Sequence, residues 1–180
     1  GSCSDRNGVR LSIGNGNARF AAEMAGHFEA VFGHLPILYQ QADRAAEMKV
    51  VNRVVALAWQ HLFGFKDTES LSKRVPDLVF NVSEELRLAF LRGYLLGDGT
   101  VADSRISFCT ASYGLASALM YLLSSFGVVA SLSHMQPDGV ERAIRGAVCA
   151  SRHPYWVLSV CAKDELRKLL HAFGPERAIV

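Results

Sequence analysis

Cysteine is scarce and badly spaced for chemistry. The 180 residues include four, Cys3, Cys109, Cys149 and Cys161, far apart and with no Cys-x-x-Cys pair. That argues against a zinc site or a disulfide framework and for reduced thiols. An excess of one charge is also lacking: 19 Lys and Arg stand against 17 Asp and Glu, a net of +2. So mild a bias neither demands nor excludes nucleic acid, for which clustering of cations on one face is what matters. No long hydrophobic run is present. The most apolar stretch is broken by Arg87, Arg92 and Asp98 and is too short and too charged to span a bilayer. With no signal-peptide pattern legible, the expectation is an intracellular protein, cytoplasmic or nucleoid-associated, with no membrane partner. Half the residues are hydrophobic and a fifth charged, a globular mixture rather than a disordered one, long enough for one core or for two small halves.

What is present is a repeat. Residues 20–33, FAAEMAGHFEAVFG, and 114–127, GLASALMYLLSSFG, are both small-and-apolar helical patterns closed by Phe-Gly, a C-terminal cap that favours a left-handed glycine. Each follows an alternating run with the period of a half-buried strand, VRLSIG at 9–14 and SRISFC at 104–109. Residues 46–64 and 156–174 echo one another as a strand leading into a helix that again ends at Phe-Gly. The offset is 94 residues at the first pair and 110 at the second, so about 16 extra residues lie between, within HMQPDGVERAIRGAVCASRHPY at 134–155. Each half reads strand-strand-helix-strand-strand-helix. The second is preceded by a further helix, which makes it αββαββα. The expected division is a first half at 1–65 lacking its opening helix, a connector at 66–82 marked by Pro76, and a second half at 83–180 with an insertion near 134–155.

The opening helix of the second half carries the chemistry. Residues 86–100 read LRLAFLRGYLLGDGT. Gly93 and Gly97 each cost about 1 kcal/mol of helix stability relative to Ala. Four residues apart, they strip one helix face to backbone and permit another helix to approach closer than the usual 8–10 Å. Leu88, Phe90, Leu91, Tyr94 and Leu95 would face the core. If a twin helix also ended in an acid, Asp98 would face a second carboxylate, a costly arrangement unless a divalent cation neutralises it. Paired carboxylates holding Mg²⁺ beside a phosphate can cleave phosphodiesters. The plain alternative is that Gly97-Asp98-Gly99 is only a capped turn.

LRGYLLGDGT at 91–100 resembles the second signature helix of the LAGLIDADG (dodecapeptide) homing endonucleases, above all those carried inside inteins. The resemblance extends to KRVPDLVF at 73–80, to the segment 106–128 and to YWVLSV at 155–160. It implies an α+β fold of two pseudosymmetric αββαββα units, each laying a saddle-shaped antiparallel sheet on double-stranded DNA, the complete protein being a monomeric pseudo-dimer within an intein host. It further implies cleavage of both strands with Mg²⁺, for which Asp98 supplies a catalytic carboxylate and Asp98 with Gly97 the metal ligands. The partner acid would lie just before Gly1. Lys73, 25 residues before Asp98, matches a lysine that assists cleavage in some intein-borne members, and Lys163 matches another less well; their plain reading is solvated charge. The chain as it stands would then cut poorly.

Alternation within the strands nominates the DNA-contacting residues: Arg10 and Ser12, Lys49 with Asn52, Arg105 and Ser107, Ser131 and Ser133, and Arg152 in the insertion. An ordinary solvated sheet face would look similar. The glycines of IGNGNARF at 13–20 sit where a dinucleotide fingerprint would, but Arg19 replaces its third glycine and the second half dispenses with them. They are read as turn residues, with Asn17 and Ser112 as helix caps. A catalytically inactive DNA-binding module of the same fold is the alternative function, and RNA-splicing assistance a more distant one.

Overall fold

The computed structural model describes residues 2–4, 8–13, 18–41, 44–65, 70–137, 139–140, 142–144, 147–149 and 153–173. The chain forms two compact units, 1–68 and 69–180, each with its own core.

The first unit runs β1 (Ser2–Ser4), β2 (Gly8–Ile13), α1 (Ala18–Phe32), β3 (Ile37–Gln41), β4 (Arg44–Val50) and α2 (Arg53–Phe63). Its four strands make an antiparallel sheet in the order β1-β2-β4-β3. Alternation sorts the sheet's faces. Val9, Ile13, Met48 and Val50 are buried against Ala21, Ala25 and Phe28 of α1 and Val55 and Ala56 of α2. Trp59 stacks on Phe28, 5.1 Å between ring centroids. Asn52 takes no place on the strand face. Its side chain accepts from the N–H groups of Val54 and Val55 at 2.9 and 3.1 Å, capping α2.

The second unit continues with a short 3-10 helix (Asp77–Asn81), α3 (Glu84–Asp98), β5 (Gly99–Ala102), β6 (Arg105–Thr110), α4 (Tyr113–Ser124), β7 (Ser131–Met135), a hairpin of β8 (Arg142–Ile144) and β9 (Ala147–Cys149), β10 (Tyr155–Val160) and α5 (Lys163–Phe173). Its sheet order is β5-β6-β10-β7, again antiparallel. With β10 in the role of β4 and β7 in that of β3, the two sheets have the same topology, and the β8–β9 hairpin is the inserted element. Leu88, Leu91 and Leu95 of α3 are buried with Ile106, Phe108, Leu119, Leu122, Leu123, Leu158, Leu169 and Phe173. Phe90 and Tyr94 pack on that core from its margin.

The part of the linking segment next to α3 is no loose crossing. Val75 and Val79 are 2 % and 7 % exposed and belong to the second unit's core. Of the four expected Phe-Gly caps, those at Gly33, Gly64 and Gly127 are realised, with φ of 61°, 68° and 70°, while Gly174, like the cap candidate Asn17, lies outside the described residues. At the third, the Val128 N–H closes back on the Leu123 carbonyl at 3.1 Å.

Candidate functional site

Asp98 is the last residue of α3 and is exposed. The chain turns there without a loop: the Gly99 N–H caps the helix by donating to the Leu95 carbonyl, while Gly99 already pairs across β5–β6 with Phe108. Only glycine fits at this exit. A Cβ on Gly99 would collide with the Leu95 side chain and come within 2.6 Å of its carbonyl oxygen. The acid is thus held at the junction of a helix end and a strand start. Tyr94 lies one helical turn earlier, its ring 5.7 Å from that of Phe108. Burial, and then the negative charge of Asp98 and of a Cys109 thiolate, hold the Tyr94 hydroxyl pKa far above its ordinary range, so it stays protonated beside Asp98. Burial likewise pushes the Cys109 thiol up.

Gly93 and Gly97 are exposed, and apart from the helix's own backbone and the flanking residues no heavy atom lies within 4 Å of where a Cβ would stand on either. The close helix contact expected of this face is not made among the described residues.

Cys109, Thr110 and Ser112 follow Phe108 and so run on at the end of the sheet where Asp98 stands. Ser112 is 2 % exposed; its hydroxyl accepts from the Leu115 N–H at 3.2 Å and donates to the Lys73 carbonyl at 2.6 Å. That pair brings the exposed Lys73 to the same end of the unit. Lys163 is not brought there. It opens α5 beyond Val160, which pairs with Ile106, the opposite end of β6. In α5, Glu165 accepts from the Val129 N–H at 2.6 Å and Lys168 donates to the Gly127 carbonyl at 3.2 Å. Neighbouring Phe126 lies under Arg87, in the first turn of α3. From Arg87 to Asp98 the helix rises about 16 Å. The match that singled out Lys163 counted its place after the last strand and carried no information on which end of the sheet that is.

The open faces of both sheets collect the other nominated residues. In the first, Arg10 and Ser12 of β2 and Lys49 of β4 share the side away from the core, with Arg10 paired directly with Lys49 in the register and 3.9 Å from Glu47. In the second, Arg105, Ser107, Ser131 and Ser133 share one face. Arg152 lies outside the described residues. The strand YWVLSV adds residues that had not been singled out: Ser159 pairs with both Ser107 and Ser131, and Val157 with Cys109 and Ser133. Its own alternation was signal enough. Thr100, opposite Ser107, completes the row.

Among the described residues no group of three or more His, Cys, Asp or Glu side chains could hold a metal ion, and no cation pairs with Asp98. What α3 offers is all oxygen: the Asp98 carboxylate and the Gly97 carbonyl, in the last turn where helix carbonyls lack intrahelical partners. That donor chemistry fits a hard divalent cation, as part of its ligand set. No helix is long and apolar enough to cross a membrane.

The fold is shared with the homing endonuclease I-DmoI, whose mesophilic variants superpose with a TM-score of 0.62 over 91 % of this chain and 78 % of theirs at 13 % identity. In sequence, the chain is 32 % identical over 121 residues to a DNA polymerase of Thermococcus hydrothermalis and 28 % identical over 130 residues to the replication factor C small subunit of Methanocaldococcus jannaschii. These stretches are 67 % and 72 % of this chain but only 7 % of either relative. A family model for the LAGLIDADG-like domain matches residues 85–174, from the first turn of α3 to the end of α5, and the chain belongs to that family.

Proposed function

We propose that this chain is the DNA-binding and phosphodiester-cleaving part of a homing endonuclease encoded within an intein. The observation that carries the reading is the placement of Asp98, exposed at the end of α3 beside a bare glycine face and at the head of an open strand face. Asp98 with the Gly97 carbonyl would hold a divalent cation, Mg²⁺ being the expected one, and the exposed strand side chains would hold the duplex. A cation so bound stabilises the attacking and leaving oxygens at the scissile phosphate. Lys73, at the acid's end of the unit, would add positive charge beside that phosphate. A variant of I-DmoI has been crystallised with its target DNA in the presence of Mg²⁺, and I-DmoI with DNA and Ca²⁺ or Mn²⁺, which supports the same use here. The intein reading rests on a contrast: one segment is shared by a polymerase and a replication factor subunit and makes up 7 % of each, the signature of an inserted element rather than of either host's activity.

The test uses the protein that carries this chain. Asp98→Asn is expected to leave duplex binding by gel shift within about twofold and to cut Mg²⁺-dependent cleavage by about 100-fold or more, the scale for loss of an electrostatic group at a reacting phosphate. Unchanged cleavage in that variant overturns the assignment. That Asp98 stands in no metal-holding group of acids among the described residues favours a second reading, a DNA-binding module without catalysis. Tight duplex binding with no cleavage by the unaltered protein in Mg²⁺ or Mn²⁺ would select it.

A further inference from the structure

The open face of the second sheet is graded, and the gradation runs along the strands away from Asp98. At the acid's end the register sets Cys109 opposite Val157 and Val157 opposite Ser133, with Tyr155 opposite Met135 just beyond. Of these five, four are apolar or weakly polar. The next row on the same face is Thr100, Ser107, Ser159 and Ser131, a hydroxyl from every strand in one line across the sheet. The row after that is Ala102 and Arg105. Successive rows on one face are about 6.8 Å apart, the rise of two stacked base pairs. Cys109, Ser133, Met135, Thr100, Ser131 and Arg105 are exposed, and Tyr155, Val157, Ser107 and Ser159 half-buried.

We propose that this gradation is a specificity code: the second unit reads thymine methyl groups next to the cut, through Cys109 and Val157, and guanine at the outer end, through Arg105. The inference rests on the proposed DNA-binding function and names the bases that face prefers. In the major groove the thymine C5-methyl is the apolar feature, so an apolar row discriminates for it. A guanidinium is bidentate to guanine O6 and N7. Hydroxyls both donate and accept and tolerate any base edge, so the middle row should be the permissive one.

Deoxyuridine isolates the methyl group, because it differs from thymidine in nothing else. A randomised duplex library is bound to the chain and the selected sequences are read. The winning duplex is then remade with deoxyuridine at each thymine in turn. The expected result is thymine enrichment at the positions beside the cut, with affinity falling about fourfold for each methyl removed there, the scale of one buried methyl. Val157→Thr and Cys109→Ser, which keep side-chain size, are expected to abolish that response, so that each variant binds the thymidine and deoxyuridine duplexes equally well. Arg105→Ala should erase guanine enrichment at the outer end only. Duplex binding that ignores deoxyuridine, or whose response survives both variants, overturns the code while leaving the DNA-binding function standing. Absence of any duplex binding overturns that function, and the code with it.

Discussion

Three glycines at the end of α3 do different physical work. Gly99 is required where it stands, because a methyl there would meet the Leu95 side chain and carbonyl that cap the helix. Gly93 and Gly97 are not required by anything the described residues place near them. In this chain, Gly93→Ala and Gly97→Ala should each raise stability by about 1 kcal/mol, the ordinary helix preference for alanine. Gly99→Ala should lower it by about 1–3 kcal/mol through overpacking. Urea melts of the three variants check the contrast. A loss of stability in Gly93→Ala would mean that another surface covers this face in solution. The sequence alone gave the bare face, since two glycines one turn apart leave little else to infer. It could not separate Gly99 from its neighbours, because that constraint comes from Leu95 folding back over the helix end.

Helices and strands were legible where period and punctuation agreed. The three Phe-Gly ends among the described residues became left-handed caps, and the alternation in VRLSIG and SRISFC became strands with Val9, Ile13, Ile106 and Phe108 inward. Register was not legible, and register is what sends Lys163 away from Asp98 and lines up Thr100 with Ser107, Ser159 and Ser131. Contacts between distant segments were also hidden, such as the bond from Ser112 to the Lys73 carbonyl or the clasp at the start of α5. That clasp carries its own pH dependence. The Lys168 ammonium, donating at 2.6 Å, and then the Val129 N–H hold the Glu165 carboxyl below the usual carboxylate range. A depressed folded pKa means that the unfolded chain takes up the proton first as pH falls. The clasp's stabilisation is therefore present above the ordinary glutamate value of 4.5 and is lost as pH drops through the folded value. Glu165→Gln should be less stable than the native chain at neutral pH, and the two should converge in acid. Denaturant midpoints across the acid limb measure it; parallel curves would refute the clasp.

At the scale of the whole molecule, the two units have unequal means of staying folded. Among the described residues, the second buries sixteen hydrophobic residues in one cluster, among them Phe108, Phe173 and seven leucines below 3 % exposure. The first buries ten among its described residues, three of them alanine and one cysteine, and its large side chains are spread over the surface as well, with Val31 and Val54 72 % and 75 % exposed. A domain of its 68 residues sits near the lower limit of what a single core sustains. Calorimetry of the full chain should therefore give two transitions instead of one. The lower belongs to residues 1–68, and its unfolding exposes enough apolar surface to bind a hydrophobic dye. The upper belongs to residues 69–180, which, expressed alone, should keep it within a few degrees, because every residue of its core cluster lies inside that segment. A single transition whose calorimetric and van't Hoff enthalpies agree would show instead that the units fold as one cooperative body. The difference matters for function. If the first unit melts first, the Asp98 carboxylate and the graded strand face persist on a folded support after half of the proposed DNA surface is lost. Duplex binding should then weaken at the lower transition, while the base preference next to the cut survives to the upper one.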